Sequence, residues 1–173
     1  GHLNTHNGPD GPDDLSAQSA TVNAQPADPI EIEHGPLLFI DDDSVKLNPP
    51  ALARKFAIEK AVVYSFKEDL FFGYDKEAGI WSRMEKQKVI WLMGCFLKTI
   101  SDDSKAIMVL PKRTAALLKS ILELVKGCSP LGDPPPPSAK LLPVANGVLE
   151  LSGAEPVLRP YRMEDWFTSK LPW

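Results

Sequence analysis

Apolar residues recur with helical spacing in three stretches of the chain. Asn48-Pro49-Pro50 predicts a helix start, with Asn as the N-cap, and the helix should run from about 49 to 61. A second helix is predicted over 85–100 ("EKQKVIWLMGCFLKTI"), and a third is predicted to open at Pro111 and stop at Gly127. The predicted inward faces are Leu52, Phe56 and Ala57; Val89, Leu92, Met93, Phe96 and Ile100; and Leu117, Leu118, Ile121, Leu122 and Val125.

Between the first two helices the sequence is rich in Val, Tyr, Phe and Trp, which is typical of strands. Strands are predicted near 62–66, 70–74 and 80–83, with a short hairpin loop from Asp75 to Gly79. "PLLFIDDD" (36–43) predicts one short docking strand, with its aspartates on a solvated edge. In "LLPVANGVLEL" (141–151), Asn146-Gly147 lies between two apolar runs and predicts a hairpin turn with positive φ at both residues.

These elements predict an α+β fold: a small, mainly helical domain with a short antiparallel β-hairpin or sheet. Residues 1–35 are predicted to be a disordered, acidic linker that begins with a tag remnant, because they contain few large apolar residues. Residues 36–173 form the domain, with a core over about 48–127 and a proline-rich loop at 129–140. The hairpin and an extended tail follow at 141–173, and the tail is predicted either to pack on a surface or to lead into a further segment. The absence of an initiator Met suggests an excised fragment.

Charge is distributed unevenly along the chain. Residues 1–50 carry nine acidic residues against one lysine, whereas residues 51–126 carry fourteen Lys or Arg against nine acidic residues. An overall charge of −4 therefore contains a basic middle of +5, where an anionic partner is expected. Cys95 and Cys128 are the only cysteines, and Cys95 is predicted to be a buried free thiol. With no signal sequence and no long apolar run, we expect a cytoplasmic protein.

The residue inventory argues against catalysis by this chain. Its three histidines, His2, His6 and His34, all precede the predicted core, which makes a histidine-based triad or zinc site unexpected. The sequence contains neither GxxxxGK[ST] nor GxGxxG, the loops that cradle phosphates. We therefore expect no catalytic residue, no metal ligand and no cofactor in this chain.

The basic middle is the candidate site. Lys and Arg neutralise phosphates, and an exposed Trp81 or Trp91 could stack on a base. The alternative interpretation is that both tryptophans are core and the lysines form an ordinary solvated helix face. Lys112-Arg113 in the first turn of the third helix would oppose the helix dipole, which favours an anionic ligand there. The candidate nucleic-acid-binding residues are Arg83, Lys86, Lys88, Lys98, Lys112, Arg113 and Lys119.

The order of the predicted elements and several short motifs together resemble those of a known family. The hairpin "FFGYDKEAGIWSRM", the run "PVANGVLEL", the following Arg-Pro and the "TSKLP" ending resemble the N-terminal-like domain of poxvirus-type and phage or plasmid primase-helicases. The resemblance covers residues 48–173, and "PVANGVLEL" is its most specific part. It implies a non-catalytic domain of a phage, prophage or plasmid replication protein that connects a primase module to a superfamily 3 helicase.

The resemblance also implies partners. They are DNA, single-stranded or forked, the adjacent primase and helicase domains, and further copies of the parent protein in a ring. ATP and Mg²⁺ are expected only in the helicase, whose phosphate-binding loop should begin shortly after Trp173. The sequence leaves two alternatives open, which are a protein-interaction or oligomerisation module without nucleic-acid contact, and a winged-helix-like DNA-binding regulator. In the first of these, the apolar tail "DWFTSKLPW" would dock on the helicase or on a neighbouring subunit.

Overall fold

The computed structural model describes residues 28–128 and 138–171 and confirms the α+β class. In chain order the first half contains α1 (Pro29–His34), β1 (Leu38–Asp41), β2 (Ser44–Leu47), α2 (Pro49–Glu59), β3 (Val62–Ser65), β4 (Leu70–Asp75) and β5 (Ile80–Met84). The second half contains α3 (Lys86–Ser104), a 3₁₀ helix (Ile107–Lys112), α4 (Ala115–Lys126), β6 (Leu141–Val144), β7 (Gly147–Glu150), β8 (Val157–Arg159) and a short 3₁₀ turn (Met163–Asp165).

The strands form three small antiparallel sheets within the described ranges. β1 pairs with β2, β3-β4-β5 form a second sheet, and β6-β7-β8 form a third. The predicted strands 62–66, 70–74 and 80–83 correspond to β3, β4 and β5, and every predicted end lies within one residue of the observed end. The predicted docking strand is instead the first half of a hairpin, because Asp42 and Asp43 make a turn and β2 returns along β1.

The core lies between the three long helices and the central sheet. Phe56 of α2 meets Phe96 of α3 edge to face, with ring centroids 5.6 Å apart. The predicted inward faces are confirmed: their residues are buried, except that Leu92, Leu117 and Leu118 are half-buried. Each buried large apolar side chain contributes about 1.5–3 kcal/mol, so these helix faces hold the domain together.

The N-terminal prediction is partly wrong. Residues 1–27 lie outside the described residues, but 28–35, predicted to be linker, contain α1, capped by the Asp28 side chain. Asn48 occupies the N-cap position of α2 without a side-chain cap. Its amide nitrogen instead donates to the carbonyl oxygens of His34 and Pro36, at 2.7 and 2.8 Å. An amide 14 residues away therefore holds α1 in place, which local composition does not reveal.

The predicted hairpin near Asn146 exists, but its turn is displaced by one residue. Val144 pairs with Gly147, so the loop residues are Ala145 and Asn146, and neither has a positive φ. Gly147 is buried in β7 with φ 154°, and a Cβ there would lie 2.3 Å from the Arg159 carbonyl oxygen. The glycine is needed because β8 passes so close, not because of a type I′ turn. A third strand, β8, was not predicted.

The C-terminal segment packs on β5, which agrees with the prediction of a tail that lies on a surface. Trp81 is 1% exposed, and its indole Nε1 donates to the Met163 carbonyl oxygen at 2.9 Å. The backbone nitrogen of Trp81 donates to the Phe167 carbonyl oxygen at 2.7 Å. Tyr161 packs where a side chain on Gly79 would be, and its hydroxyl donates to the Val144 carbonyl oxygen. Residues 129–137 of the predicted proline-rich loop, and Trp173, lie outside the described residues.

Candidate nucleic-acid interface

The two tryptophans of the basic middle have opposite environments. Trp81 is buried, whereas Trp91 is 68% exposed on α3. Trp91 lies two residues from the buried Val89 and Met93, which places it roughly 200° around the helix from each. The core interpretation is therefore correct for Trp81 and wrong for Trp91, whose indole lies on the solvent face.

The candidate basic residues are all exposed, on four neighbouring elements. Arg83 lies on β5, Lys86 and Lys88 in the first turn of α3, Lys98 later on α3, Lys112 at the end of the 3₁₀ helix, Arg113 just after it, and Lys119 on α4. Of these, Lys98 pairs with Asp102, at 2.6 Å between Nζ and Oδ1. Within residues 28–128 and 138–171 the other six form no ion pair. Their charge is available to an anionic partner.

Lys112 and Arg113 do not lie in a helix first turn, so that prediction is wrong. Pro111 lies inside the 3₁₀ helix, and α4 begins at Ala115. The N-cap is Thr114, whose hydroxyl accepts a hydrogen bond from the Leu117 amide at 3.2 Å. Both cations precede the helix, so the dipole gives no reason to expect an anion there.

Arg113 nevertheless has a defined position. Its Nε donates to the Leu110 carbonyl oxygen and its Nη1 to the Gly94 carbonyl oxygen, both at 3.3 Å. The second bond crosses from the connection before α4 to the middle of α3. The guanidinium is therefore held against α3, and in the described residues its Nη2 forms no hydrogen bond.

Arg113 and Trp91 line the same shallow cleft, of ≈ 390 Å³. Its base is mainly apolar and includes Ile90, Gly94 and Leu118, between α3 and α4. Gly94 leaves the cleft open because it has no side chain, and the nearest heavy atom to a Cβ there would be Leu118 Cδ1 at 3.9 Å. We call the surface made by this cleft and the exposed cations the α3 face.

Cys95 also belongs to the α3 face. It is exposed and lines the cleft, so the prediction of a buried thiol is wrong. The physical reason is helical geometry: Cys95 lies four residues after Trp91 and therefore on the same side of α3. The apolar neighbours of Cys95 in sequence, Phe96 and Leu97, point to the core instead.

Among the described residues, the most buried ion pairs lie away from the α3 face and hold the C-terminal segment. Arg159 donates to both carboxylate oxygens of Asp165, at 2.9 and 2.6 Å, and also to Glu150. Burial acts to raise the pKa of Asp165, but hydrogen bonds from Arg159 and from the Arg162 amide hold that pKa below its usual value. The pKa of Arg159 is raised in turn, mainly by its hydrogen bond to Asp165 and to a smaller degree by its hydrogen bond to Glu150. This cluster ties the last 3₁₀ turn to β7 and β8.

The candidate cations follow from the sequence alone, whereas the cleft beside Trp91 emerges only in the structure. The apolar residues around Gly94 and Cys95 hide this cleft in the sequence, although the spacing of both residues from Trp91 places them beside it. Asn146 lies in the loop between β6 and β7, and Gly147 opens β7 where Arg159 passes close to it. Among residues 28–128 and 138–171, no helix combines the length and the apolar character that crossing a bilayer requires.

Comparison with protein families gives no match to any family model, and comparison with curated proteins gives no significant match.

Proposed function

We propose that this chain is a non-catalytic DNA-replication domain of a phage, prophage or plasmid primase-helicase. It links the primase to the helicase and contacts DNA through the α3 face. The observation that supports DNA contact is Trp91, a large exposed aromatic side chain that lines the same cleft as Arg113, which forms no ion pair in the described residues. The motif resemblance, most specific in "PVANGVLEL", supports the assignment to a primase-helicase.

The charges of the α3 face suit phosphates better than a catalytic role. Lys86, Lys88 and Lys112 are exposed, and each can neutralise a phosphate without any requirement for fixed geometry. In this proposal ATP hydrolysis, with its Mg²⁺, belongs to the helicase of the parent protein. A GxxxxGK[ST] motif within about a hundred residues after Trp173 would identify that helicase, and its absence from the parent sequence would remove the primase-helicase assignment.

DNA binding is tested by fluorescence anisotropy with labelled single-stranded and forked DNA over a range of salt concentrations. Because each phosphate contact releases counterions, log K should fall with log salt by roughly 0.7–0.9 per contact. Replacing Lys86, Lys88 and Lys112 together by Ala should reduce this slope by about 2 to 3. A matched triple change at Lys67, Lys76 and Lys140, which lie outside the α3 face, should leave the slope nearly unchanged. Absence of binding at low salt, or equal effects of both triples, contradicts DNA contact.

A protein-interaction role is the second candidate, and edge strand β8 favours it. Val157 and Leu158 are more than half exposed on this strand, which pairs only with β7 within the described ranges. Exposed apolar side chains on a free edge are typical of surfaces that bind another chain. The tail itself is less available than its sequence indicates, since Trp166 stacks on Trp81.

The two roles are separated in the parent protein. If the domain acts only through protein contacts, Leu158→Asp should prevent assembly of the parent, as measured by light scattering, while the lysine triple variant behaves like wild type in every assay. If the domain contacts DNA, the lysine triple should weaken DNA binding while leaving assembly intact.

A further inference from the structure

Trp91, on α3, presents its indole to solvent. A large aromatic side chain at this position loses the stabilisation that burial would give it, and a lysine or glutamate would serve a solvated helix face better. The only other aromatic exposed to a similar degree in the described residues is Phe66, at 70%, which lies in the turn after β3 and contacts Tyr64 edge to face. Trp91 has no aromatic neighbour of this kind among residues 28–128 and 138–171. A flat ligand could therefore cover its indole.

The cleft beside Trp91 combines an apolar base with one fixed cation. Ile90 and Leu118 supply the apolar surface, and Arg113 supplies a guanidinium held against α3 through Gly94. The N–H groups of Nη2 form no hydrogen bond in the described residues. Such a cation can bind a phosphate oxygen with little loss of side-chain freedom, because two carbonyl groups already fix its orientation.

We propose that this cleft binds one unpaired base of single-stranded DNA, stacked on the indole of Trp91, with an adjacent phosphate bound by Arg113. This inference rests on the proposed function and specifies its ligand. Lys88, which lies three residues before Trp91 and therefore on the same side of α3, is placed to contact the backbone beside the stacked base.

The geometry favours an unpaired base over duplex DNA and over an acidic protein segment. In a duplex both faces of every internal base are covered by its neighbours, so an indole fixed on a helix surface cannot reach one. An acidic peptide would satisfy the cations but leave the indole and the apolar base of the cleft in water. A nucleotide offers a flat ring and an anion together, which matches Trp91 beside Arg113.

The experiment compares a labelled oligothymidylate of about 15 nucleotides with a blunt duplex, using the full chain. Trp91→Ala should weaken oligothymidylate binding about 5- to 140-fold, the range that follows from losing one base–aromatic stack. Trp91→Phe should retain most of the affinity, and duplex binding should not change. Phe66→Ala is the matched control, because it removes an equally exposed aromatic outside the α3 face.

Tryptophan fluorescence adds a readout that a purely structural role would not give. Base stacking should quench the emission of Trp91, and this quenching should be absent in Trp91→Phe, in which Trp81 remains buried. Arg113→Lys should reduce affinity while leaving the quenching at saturation intact, since the stack remains.

Three results would overturn the inference. If binding is salt-dependent but Trp91→Ala has no effect and no quenching occurs, the DNA contact of the proposed function stands and the stacked base is excluded. If polyglutamate displaces the oligonucleotide at equal charge concentration, the surface recognises charge alone. If neither DNA binds at low salt, DNA contact itself fails and the inference fails with it.

Discussion

Trp81 and Trp166 stack with ring centroids 4.8 Å apart and ring planes inclined by 19°. Trp81 belongs to β5 of the central sheet and Trp166 follows the 3₁₀ turn Met163–Asp165, so the stack joins the central sheet to the C-terminal segment. Its energy comes from burial of two large rings together with the indole hydrogen bond to Met163.

Trp81→Phe should destabilise the chain by about 1–3 kcal/mol. The substitution keeps an aromatic ring but removes the indole N–H, which leaves the Met163 carbonyl without its donor in a partly buried setting. Urea denaturation followed by circular dichroism measures the change in the free energy of unfolding. Trp91→Phe is the control and should change it by less than about 0.5 kcal/mol, since Trp91 is exposed. Equal effects at both positions would contradict the packing described.

Gly79→Ala should also be destabilising, by more than about 1 kcal/mol. Gly79 has φ 71°, and its Cβ would lie 2.5 Å from Tyr161, so the substitution strains the turn and displaces the C-terminal segment. The matched change is Gly153→Ala, where the nearest heavy atom would be 3.7 Å away and φ is not in the left-handed region. Thermal unfolding of the two variants should differ clearly, and similar melting temperatures would contradict the contact with Tyr161.

Asp165→Asn should cost about 2–4 kcal/mol at neutral pH, because it leaves a largely buried Arg159 with a weakened partner. The pKa of Asp165 is lowered by folding, so the wild-type carboxylate stabilises the folded state fully above its unfolded pKa of about 3.9. This contribution is lost as the pH falls through the lower, folded pKa. The difference in unfolding free energy between wild type and variant should therefore shrink below about pH 4.

Asp102→Asn provides the control for this pH series. Its pair with Lys98 is exposed on α3 and should be worth only about 0.5 kcal/mol. A difference between wild type and Asp165→Asn that stays constant from pH 7 to pH 2 would exclude the proposed role of the carboxylate.

Gly94→Ala should stabilise the chain by about 0.5–1 kcal/mol. Gly94 lies inside α3 with ordinary helical backbone, and the added Cβ would meet only Leu118, at 3.9 Å. The same methyl group would enter the cleft beside Trp91, so oligothymidylate binding should weaken or stay equal while stability rises. A loss of stability would show that the space at Gly94 is smaller than described.

Sequence periodicity predicted the helices and their inward faces because each of those faces is decided within the helix itself. Val89, Met93 and Phe96 follow the 3.6-residue repeat, and all three are buried. Of the different environments of the two tryptophans, the sequence could predict only the exposure of Trp91. The repeat places Trp91 opposite Val89, but the burial of Trp81 depends on Met163, 82 residues later.

The remaining errors have the same origin. Asn146-Gly147 has the local composition of a type I′ turn, yet the register follows the close approach of β8 at Arg159 to Gly147. Pro111 has the composition of a helix start, but the chain first makes a 3₁₀ helix and then uses Thr114 as the cap. At Gly147 a contact distant in sequence outweighs the local turn signal. At Pro111 a second local signal, the Thr114 cap, outweighs the proline.

The indole bond from Trp81 to Met163 also bears on the order of folding. The helices and hairpins close over short stretches, whereas this contact must close a loop of 82 residues and carries a larger entropic cost. We expect the C-terminal segment to dock last, after the helical core has formed. A stopped-flow refolding trace should then show helical circular dichroism recovering before the fluorescence change of Trp81, with Trp81→Phe losing only the later phase.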